Sequence, residues 1–318
     1  MTKSSGNGTV FQDELARKRP RTYRLLVAIA NPLTCGDLID LAKTIVQGRR
    51  GEITALHVVQ TERPPREEEK SAEARRTMLE AVLIHAQDPA VPIHTVTRTA
   101  PTIAQGIVDT AAEENSHLIL MGWRGRLRRS ATGASIGDVL DQVIKNAPCN
   151  IAVVKARGLQ SIRRILVLTA GGPNAVLALG LAMSIARRYR AEVTTLYVAK
   201  PGQEATGRAM LAKTVNGLQG AKTVRRELVV AENAVKGILK ESKDYDLVLL
   251  GATQEGLFQQ VLFGPIPEEV AKRCSKTVIV VKGYQPIVSM VKGALSGWTE
   301  RLRGGREAAT TPPAKVGL

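Results

Sequence analysis

The residues best suited to hold an anion lie in one loop, between Met121 and Asp138, with the sequence MGWRGRLRRSATGASIGD. The loop follows the apolar run HLIL at 117–120, which predicts a strand, and it precedes a segment with helical spacing. Backbone N–H groups of a glycine-containing loop at a helix start can bind phosphate. Four arginines in the loop could reach phosphate oxygens, namely Arg124, Arg126, Arg128 and Arg129. The pattern predicts either a nucleotide-phosphate site or a solvated basic loop.

An internal repeat organises the rest of the chain. GEITALHVVQ at 51–60 aligns without gaps with AEVTTLYVAK at 191–200, and NIAVVK at 150–155 matches TVIVVK at 277–282. The second copy is shorter between these landmarks, and the junction lies near 156–161. We therefore divide the 318 residues into a polar basic arm (1–21), copy one (22–156), copy two (162–284) and a C-terminal segment (285–318).

Each copy alternates predicted strands and helices. The strands predicted in copy one are Tyr23–Ala30, Ile53–Val59, Ile93–Thr97, His117–Met121 and Ile151–Val154. The helices predicted between them are Thr34–Gln47, Glu69–Ala86, Thr102–Glu114 and Gly137–Asn146. Such alternation predicts an α/β fold with two tandem, doubly wound parallel sheets. In such sheets ligands bind at the carboxyl ends of the strands, where the winding reverses.

The pattern of copy one resembles the universal stress protein domain. The resemblance lies in a strand ending at Gly122, then Gly125, a loop, Gly137, a helix, the sequence NAPC at 146–149 and a β-branched strand. It covers residues 22–156 and again 162–284, and it implies a five-stranded, Rossmann-like parallel sheet of order 3-2-1-4-5 in each copy. It also implies that the two last strands pair to form a pseudo-dimer, and it leaves a homodimer open. The phrases ANP at 30–32 and TAGGPN at 169–174 look like universal stress domains appended to bacterial amino-acid transporters.

Some universal stress proteins bind ATP, and the resemblance carries their site residues to this sequence. In those members an aspartate ends the first strand, a valine near the end of the second strand meets the base, and a Gly-x2-Gly-x9-Gly-Ser/Thr loop holds the phosphates. The candidate residues in copy one are Ala30, Asn31, Val58, Gly122, Arg124, Gly125, Gly137 and Asp138. The candidates in copy two are Ala170, Val198, Gly251 and Gly264.

Both copies depart from this pattern. The aspartate is replaced by Ala30 and Ala170, and in copy one eleven residues rather than nine separate the second and third glycines. Asp138 would put a carboxylate at the positive start of a helix, where it would repel phosphate. Pro265, in the matching position of copy two, removes an N–H donor. Copy two also lacks basic residues across 252–263 and carries Glu255. We therefore expect a degenerate site in copy two and a candidate ATP site in copy one.

Other residue patterns favour a binding or regulatory module over an enzyme. No arrangement of nucleophile, base and orienting group is visible in the sequence. The three cysteines form no CxxC pair and the four histidines have no ligand spacing, so neither a disulfide framework nor a metal site is predicted. The sequence shows no secretory signal and no run of membrane-spanning length. We expect a cytoplasmic protein.

The net charge of +16 leaves the nature of the partner open. Such an excess is typical of binding to nucleic acid or to a lipid surface, or of a solvated basic surface. Aromatic residues make up 3% of the chain, which disfavours nucleic acid. PIVSMVKGALSGWTERLR at 286–303 has an apolar helical stripe with flanking cations, which predicts a helix that is either docked on the protein or bound to an anionic membrane or membrane protein.

Three function classes follow from these observations. The first is a cytoplasmic stress-response or regulatory protein with degenerate nucleotide sites, in which copy one retains ATP binding. The second is a regulatory adaptor for a membrane transporter, without a small ligand. The third is a basic protein associated with nucleic acid.

Overall fold

Each copy folds into alternating strands and helices in the computed structural model. The described residues are 22–47, 49–61, 76–77, 80, 82, 84–85, 91–123, 128–130, 133–135, 138–159, 161–253 and 263–284. Both copies belong to one unit of the chain, which ends at Gly283. The arm (1–21) and the predicted helix at 286–303 lie outside the described residues, so their structure stays a prediction.

The strands and helices follow the order that the sequence predicts. The strands of copy one are β1 (Tyr23–Ala28), β2 (Gly51–Gln60), β3 (Ile93–Ala100), β4 (Leu118–Gly122), β5 (Arg128–Ser130), β6 (Gly133–Ser135) and β7 (Asn150–Lys155). Its helices are α1 (Pro32–Gln47), α2 (Ile103–Glu113) and α3 (Asp138–Asn146). Copy two has strands β8 (Arg164–Leu168), β9 (Glu192–Ala199), β10 (Arg225–Val230), β11 (Leu247–Gly251) and β12 (Thr277–Lys282). Its helices are α4 (Pro173–Tyr189), α5 (Glu204–Asn216), α6 (Ala234–Glu241) and α7 (Pro265–Arg273), with 3-10 turns at Ala221–Thr223 and Ser242–Asp244.

A single ten-stranded sheet runs through both copies, in the order β10-β9-β8-β11-β12-β7-β4-β1-β2-β3. Within each copy, the five sheet strands are parallel and have the order 3-2-1-4-5 when they are counted along that copy. The predicted fold class is therefore confirmed. A two-stranded hairpin of β5 and β6 stands apart from this sheet and was not predicted.

The core forms on both faces of the sheet. The central strands are continuous apolar runs, such as Leu25 to Val27 and Leu247 to Leu249, whose side chains are all 0% exposed. Parallel strands that are covered by helices on both faces need such runs. Each of the two core clusters contains residues of both copies, so the apolar packing continues across the boundary between them.

The last strands of the two copies pair with each other, as the sequence predicted. Strand β12 lies antiparallel to β7, with Val280 opposite Val153 and Lys282 opposite Ile151. The pairing protects what would otherwise be two open sheet edges. Because the pair is antiparallel, the carboxyl ends of the strands of copy one and the amino ends of those of copy two lie at the same edge of the sheet.

A second contact joins the copies through Arg49, which follows helix α1. Its guanidinium donates a 2.9 Å hydrogen bond to Ser184 Oγ and a 3.4 Å bond to the Gly180 carbonyl, both in helix α4. The same guanidinium lies 4.8 Å from the centre of the Tyr23 ring. Arg49 therefore links the start of the first strand of copy one to the first helix of copy two.

Element boundaries differ from the predicted ones by a few residues. Strand β1 ends at Ala28 rather than Ala30, which places Ala30 and Asn31 in the turn before α1. Of the predicted helix Glu69–Ala86, the described residues 76–77, 80, 82 and 84–85 are helical, and the remainder lies outside the described residues. Among the described residues, no helix combines the length and the apolar character that crossing a bilayer requires.

Candidate functional site

The candidate site of copy one lies where the winding of the sheet reverses, between β1 and β4. The two strands are neighbours, with Ala28 opposite Met121, so the residues that follow them meet at one edge. Ala30 and Gly122 are both exposed there. Neither supplies a charge, so any anion or nucleotide at this position would have to be held by backbone groups and by the neighbouring loops.

Asn31 caps the start of helix α1, so its side-chain oxygen already accepts a hydrogen bond. Its side-chain Oδ1 accepts a 3.2 Å hydrogen bond from the Leu33 N–H, and its carbonyl accepts one from the Thr34 N–H, also at 3.2 Å. Asn is a favoured residue at a helix start because its side chain satisfies N–H groups that have no partner within the helix. One N–H group that could have bound phosphate is therefore already occupied.

The two candidate valines pack beneath helices. A β-carbon added to Gly106 in α2 would lie 2.6 Å from a methyl of Val58, and one added to Gly237 in α6 would lie 2.9 Å from a methyl of Val198. Glycine at these two positions lets each helix approach the end of the second strand. Val58 is 5% exposed and belongs to the core, so its predicted contact with a base stays a prediction.

The glycine at the end of the fourth strand has different surroundings in the two copies. A β-carbon added to Gly122 would have Leu38 Cδ1 as its nearest neighbour, at an ordinary contact distance of 3.5 Å. A β-carbon added to Gly251 would lie 2.5 Å from the carbonyl carbon of Asn174 and 2.7 Å from the nitrogen of Ala175. The start of α4 therefore fills the space beside Gly251, whereas beside Gly122 the described residues leave room for a β-carbon in ordinary contact with Leu38 and Thr34.

Asn174 fixes this closed arrangement in copy two. Its side chain is 6% exposed, donates a 2.8 Å hydrogen bond to the Ala252 carbonyl and accepts a 2.9 Å bond from the Gly283 N–H. Both partners directly follow strands, β11 and β12, so the amide ties the start of α4 to the carboxyl ends of two strands. The position that the repeat aligns with Asn174 in copy one is Thr34, whose hydroxyl donates to the nearby Asn31 carbonyl, at 3.4 Å.

A second closure covers the end of β8, next to Ala170. Gly171 has φ +79°, and a β-carbon there would lie 2.2 Å from the sulfur of Met210 in α5. Thr169 is hydrogen-bonded to Thr214 of the same helix, and its oxygen also accepts from the Gly171 N–H at 2.9 Å. Helix α5 therefore packs against the turn that follows β8, next to the exposed Ala170, and the positive φ of Gly171 favours glycine there.

The loop after β11 is closed at its ends. Thr253 donates two hydrogen bonds to the Phe263 carbonyl, from its N–H at 2.8 Å and from its hydroxyl at 3.0 Å. Gly264 precedes α7 with φ +96°, and a β-carbon there would collide with the Thr253 hydroxyl. As predicted, Pro265 is the first residue of α7, so one N–H donor is missing from the helix start.

A buried carboxylate lies in the first turns of α7. Glu268 is 8% exposed, and burial raises its pKa, while a hydrogen bond from the Phe263 N–H lowers it and the nearby Asp141 and Glu269 raise it further. The positive end of the α7 dipole thus has a carboxyl group of the protein beside it, that of Glu268. A carboxylate at the positive end of a helix competes with phosphate. The predicted degeneracy of copy two stays a prediction.

The loop of copy one is described in part. Strands β5 and β6 pair with Arg128 opposite Ser135, and helix α3 begins at Asp138, which the sequence predicted as the first helical residue. Arg124, Gly125 and Gly137 lie outside the described residues, and their predicted roles stay predictions, as does the effect of the Asp138 carboxylate.

Trp123, directly after Gly122, was not singled out in the sequence. Its N–H continues the strand pairing to the Val154 carbonyl at 2.8 Å, as Ala252 does to Val281 in copy two. The side chain is 7% exposed, and its indole N–H has no hydrogen-bond partner in the described part of the chain. In the sequence, its position directly after Gly122 could have indicated that it lies beside the candidate crevice.

Comparison with known proteins identifies the family. The model of the universal stress protein family matches residues 22–155 and 161–282. The chain belongs to the universal stress protein family. Its tandem arrangement, fold and strand order are those that the resemblance implied.

The chain is also similar to a transporter sequence. The Na(+)/H(+) antiporter NhaS5 of Synechocystis sp. is 23% identical over 287 residues, which is 86% of this chain and 40% of the antiporter. The chain thus spans less than half the length of this relative.

Two solved structures share the tandem fold. A universal stress protein from Archaeoglobus fulgidus has a TM-score of 0.59 and 19% identity, covering 82% of this chain and 99% of its own. The cytoplasmic domain of a prokaryotic cation chloride cotransporter has a TM-score of 0.52 and 11% identity, covering 82% of this chain and 95% of its own. At these identities the likeness establishes the fold alone.

Proposed function

We propose that this tandem universal stress protein is a cytoplasmic regulatory protein in which copy one binds an adenine nucleotide and copy two binds none. The observation that carries the proposal is the looser packing beside Gly122, where a β-carbon would make ordinary contacts, compared with the start of α4 packed against Gly251. The exposed Ala30 and the arginines of the loop after β4 would flank a nucleotide in copy one. The proposal assigns no catalytic step to the protein.

Titration calorimetry with ATP tests this assignment. We expect one nucleotide per chain. Gly122→Ala should keep the fold, since its β-carbon would make only ordinary contacts, and it should weaken ATP binding about tenfold by blocking close approach to the backbone. Asp138→Ser should strengthen ATP binding, because it removes a carboxylate from a helix start.

The matched control is Gly251→Ala in copy two. It introduces a contact with the α4 backbone and should lower stability without changing the affinity for ATP in the folded protein. Two nucleotides per chain, or an affinity that responds to Gly251→Ala and not to Gly122→Ala, would contradict the assignment. A native mass spectrum of the freshly purified protein gives an independent check, because a nucleotide retained through purification would appear as added mass.

A second candidate function is a regulatory adaptor for a membrane transporter that needs no small ligand. The similarity to an antiporter and the fold shared with the cytoplasmic domain of a cotransporter support it. In this case the protein would lie at the inner face of the membrane. Capture of the full chain from detergent-solubilised membranes should then recover an integral transporter, even after Gly122→Ala. Absence of a transporter from the captured material, with ATP binding intact, would favour the first function.

A further inference from the structure

One edge of copy two carries a concentration of exposed cations. We call it the copy-two basic edge and define it by Arg187, Arg188, Arg190, Lys222, Arg225 and Arg226, all of which are exposed. The first three lie at the end of α4, Lys222 lies in a 3-10 turn, and the last two begin β10. Helix ends and strand starts meet at the same edge of a parallel sheet, so the six cations lie at one edge of copy two.

These cations are not neutralised by the protein. None of the six forms an ion pair with an acidic residue of the described ranges, whereas Arg24 pairs with Glu52 and Arg98 with Glu113. The negative end of the α4 dipole accounts for cations at the helix end. It does not account for Arg225 and Arg226, which belong to a strand.

The fold does not require this charge, because copy one builds the same elements without it. The strand registers align Arg225 and Arg226 of β10 with His94 and Thr95 of β3. The repeat likewise aligns Arg187 with Gln47. Arg188 aligns with a glycine of copy one. Four of the six cations, at 187, 188, 225 and 226, are therefore specific to copy two, and the core and the sheet do not require them.

A cavity of about 440 Å³ opens within this edge. Arg187 and Arg225 lie on its wall together with one acidic residue, Glu192. The remaining lining is Thr223 and the apolar Met183, Ala186, Ala191, Val193 and Val224, with no aromatic side chain. Two guanidinium groups on an apolar cavity suit a phosphate that is attached to a short apolar stem, since arginine binds phosphate oxygens through paired N–H groups.

We propose that the copy-two basic edge binds the anionic phospholipid headgroups of a membrane surface. A group of four to eight basic residues is the size that binds anionic lipid. The cavity would receive a headgroup phosphate between Arg187 and Arg225, with the glycerol region against the apolar lining. Nucleic acid fits less well, because the cavity offers no aromatic surface for a base to stack on. The inference goes beyond nucleotide binding by copy one and concerns a different surface from 286–303.

The test is co-sedimentation of the full chain with vesicles of phosphatidylglycerol and phosphatidylcholine, compared with vesicles of phosphatidylcholine alone. The variant R187Q/R225Q/R226T replaces three cations, two of them by the residues that copy one carries. Each cation near an anionic surface contributes about fivefold, so the variant should partition about 100-fold more weakly. Partitioning of the wild type should fall with added salt.

The matched control is K200Q/R208Q/K236Q, which removes the same charge from exposed residues near the opposite edge of copy two. Strand β9, with eight residues, separates the edges by about 26 Å, several times the screening length of about 8 Å. The control should therefore partition within about threefold of the wild type. Circular dichroism should show both variants folded, and the salt dependence of the wild type provides a readout if the first variant does not fold.

Several outcomes would overturn the proposal. Equal weakening by both variants would show that net charge alone acts. Loss of binding with Trp298→Ser but not with R187Q/R225Q/R226T would assign the membrane contact to 286–303. Failure of the wild type to bind anionic vesicles, or a weakening of duplex DNA binding by R187Q/R225Q/R226T with no vesicle binding, would also refute it. None of these outcomes bears on ATP binding by copy one, which is measured separately.

Discussion

The closed crevice of copy two should be a large contributor to stability, and Asn174 is the residue through which to test this. Asn174→Ala would leave the Ala252 carbonyl and the Gly283 N–H without the partners that now lie at 2.8 and 2.9 Å. An unsatisfied buried polar group costs about 1–3 kcal/mol. Allowing for water that enters the vacated space, we expect the free energy of unfolding to fall by about 2–4 kcal/mol. This is a large fraction of the 5–15 kcal/mol that is typical of folded proteins.

Urea unfolding followed by circular dichroism measures this loss. The control is Thr34→Ala, the corresponding change in copy one, which removes a 3.4 Å hydrogen bond from a half-buried residue and should cost less than about 1 kcal/mol. The midpoint should shift with an unchanged dependence on urea, since the fold itself is retained. A loss for Asn174→Ala no larger than that for Thr34→Ala would refute the reasoning.

Asn174→Asp sharpens the test through its pH dependence. An ionised carboxylate can accept from the Gly283 N–H but would face the Ala252 carbonyl without a proton to donate, so its pKa in the folded state should be raised. A raised folded pKa means that the stability is present at pH values below the unfolded pKa, about 3.9, and is lost as the pH rises through the folded value. Asn174→Asp should therefore approach wild-type stability in acid and fall below it at neutral pH. A pH-independent difference would show that the amide does not donate to that carbonyl.

Two further residues give testable stability effects. Arg49→Ala should lower the free energy of unfolding, measured in urea, by about 1–2 kcal/mol, because it removes the hydrogen bond to Ser184 and the contact with the Tyr23 ring. Arg49→Lys should recover only part of this loss. Equal stabilities of the wild type and both variants would contradict the proposed link between the copies. Asp246 accepts hydrogen bonds from the N–H groups of Arg163 and Arg164, at 2.8 and 2.9 Å. Burial alone would raise the pKa of Asp246, but these bonds and nearby cations lower it. A lowered folded pKa gives stability that is present above the unfolded pKa and lost as the pH falls through the folded value. Asp246→Asn should therefore be less stable than the wild type at pH 7, and the difference should begin to shrink only as the pH falls below the unfolded value of about 3.9. A difference that persists once the carboxylate is protonated would rule out that carboxylate as its source.

The fold could be predicted because its determinants are local or repeated. Apolar runs such as 25–27 and their counterpart at 165–167 specify buried parallel strands, and the duplication shows each pattern twice in the chain. The pairing of β7 with β12 was implied by the resemblance to universal stress proteins, and it agrees with the need to protect two sheet edges in one chain. Pro265 at the start of α7 was predictable from the preference of proline for the first helical position.

The missed features depend on contacts or turns that leave little trace in the sequence. Between β5 and β6 the sequence has Ala131 and Thr132 rather than the Asn-Gly or Asp-Gly pair that usually predicts a hairpin. The hydrogen bonds of Asn174 cross 78 and 109 residues of sequence, and nothing local distinguishes this asparagine from one on a surface. Met210 reaches Gly171 in the same way, across a helix and a strand. The sequence therefore predicted a degenerate site in copy two, but not the packing of Met210 against Gly171 or of the start of α4 against Gly251.

The antiparallel junction places the candidate crevice of copy one and the copy-two basic edge at the same edge of the sheet. Strand β10 lies six strands from β4, which corresponds to about 29 Å at the usual spacing between strands. A nucleotide at the crevice brings several negative charges, but over this distance they are screened, since the screening length is about 8 Å at physiological salt. Direct repulsion or attraction between a bound nucleotide and a membrane at the basic edge is therefore weak.

Any coupling between the two sites has to pass through the shared sheet. The buried β7–β12 pairing resists deformation of that sheet, as do the two core clusters, which both span the copies. The physical expectation is that one copy can lose its ligand and acquire a new surface without disturbing the site of the other.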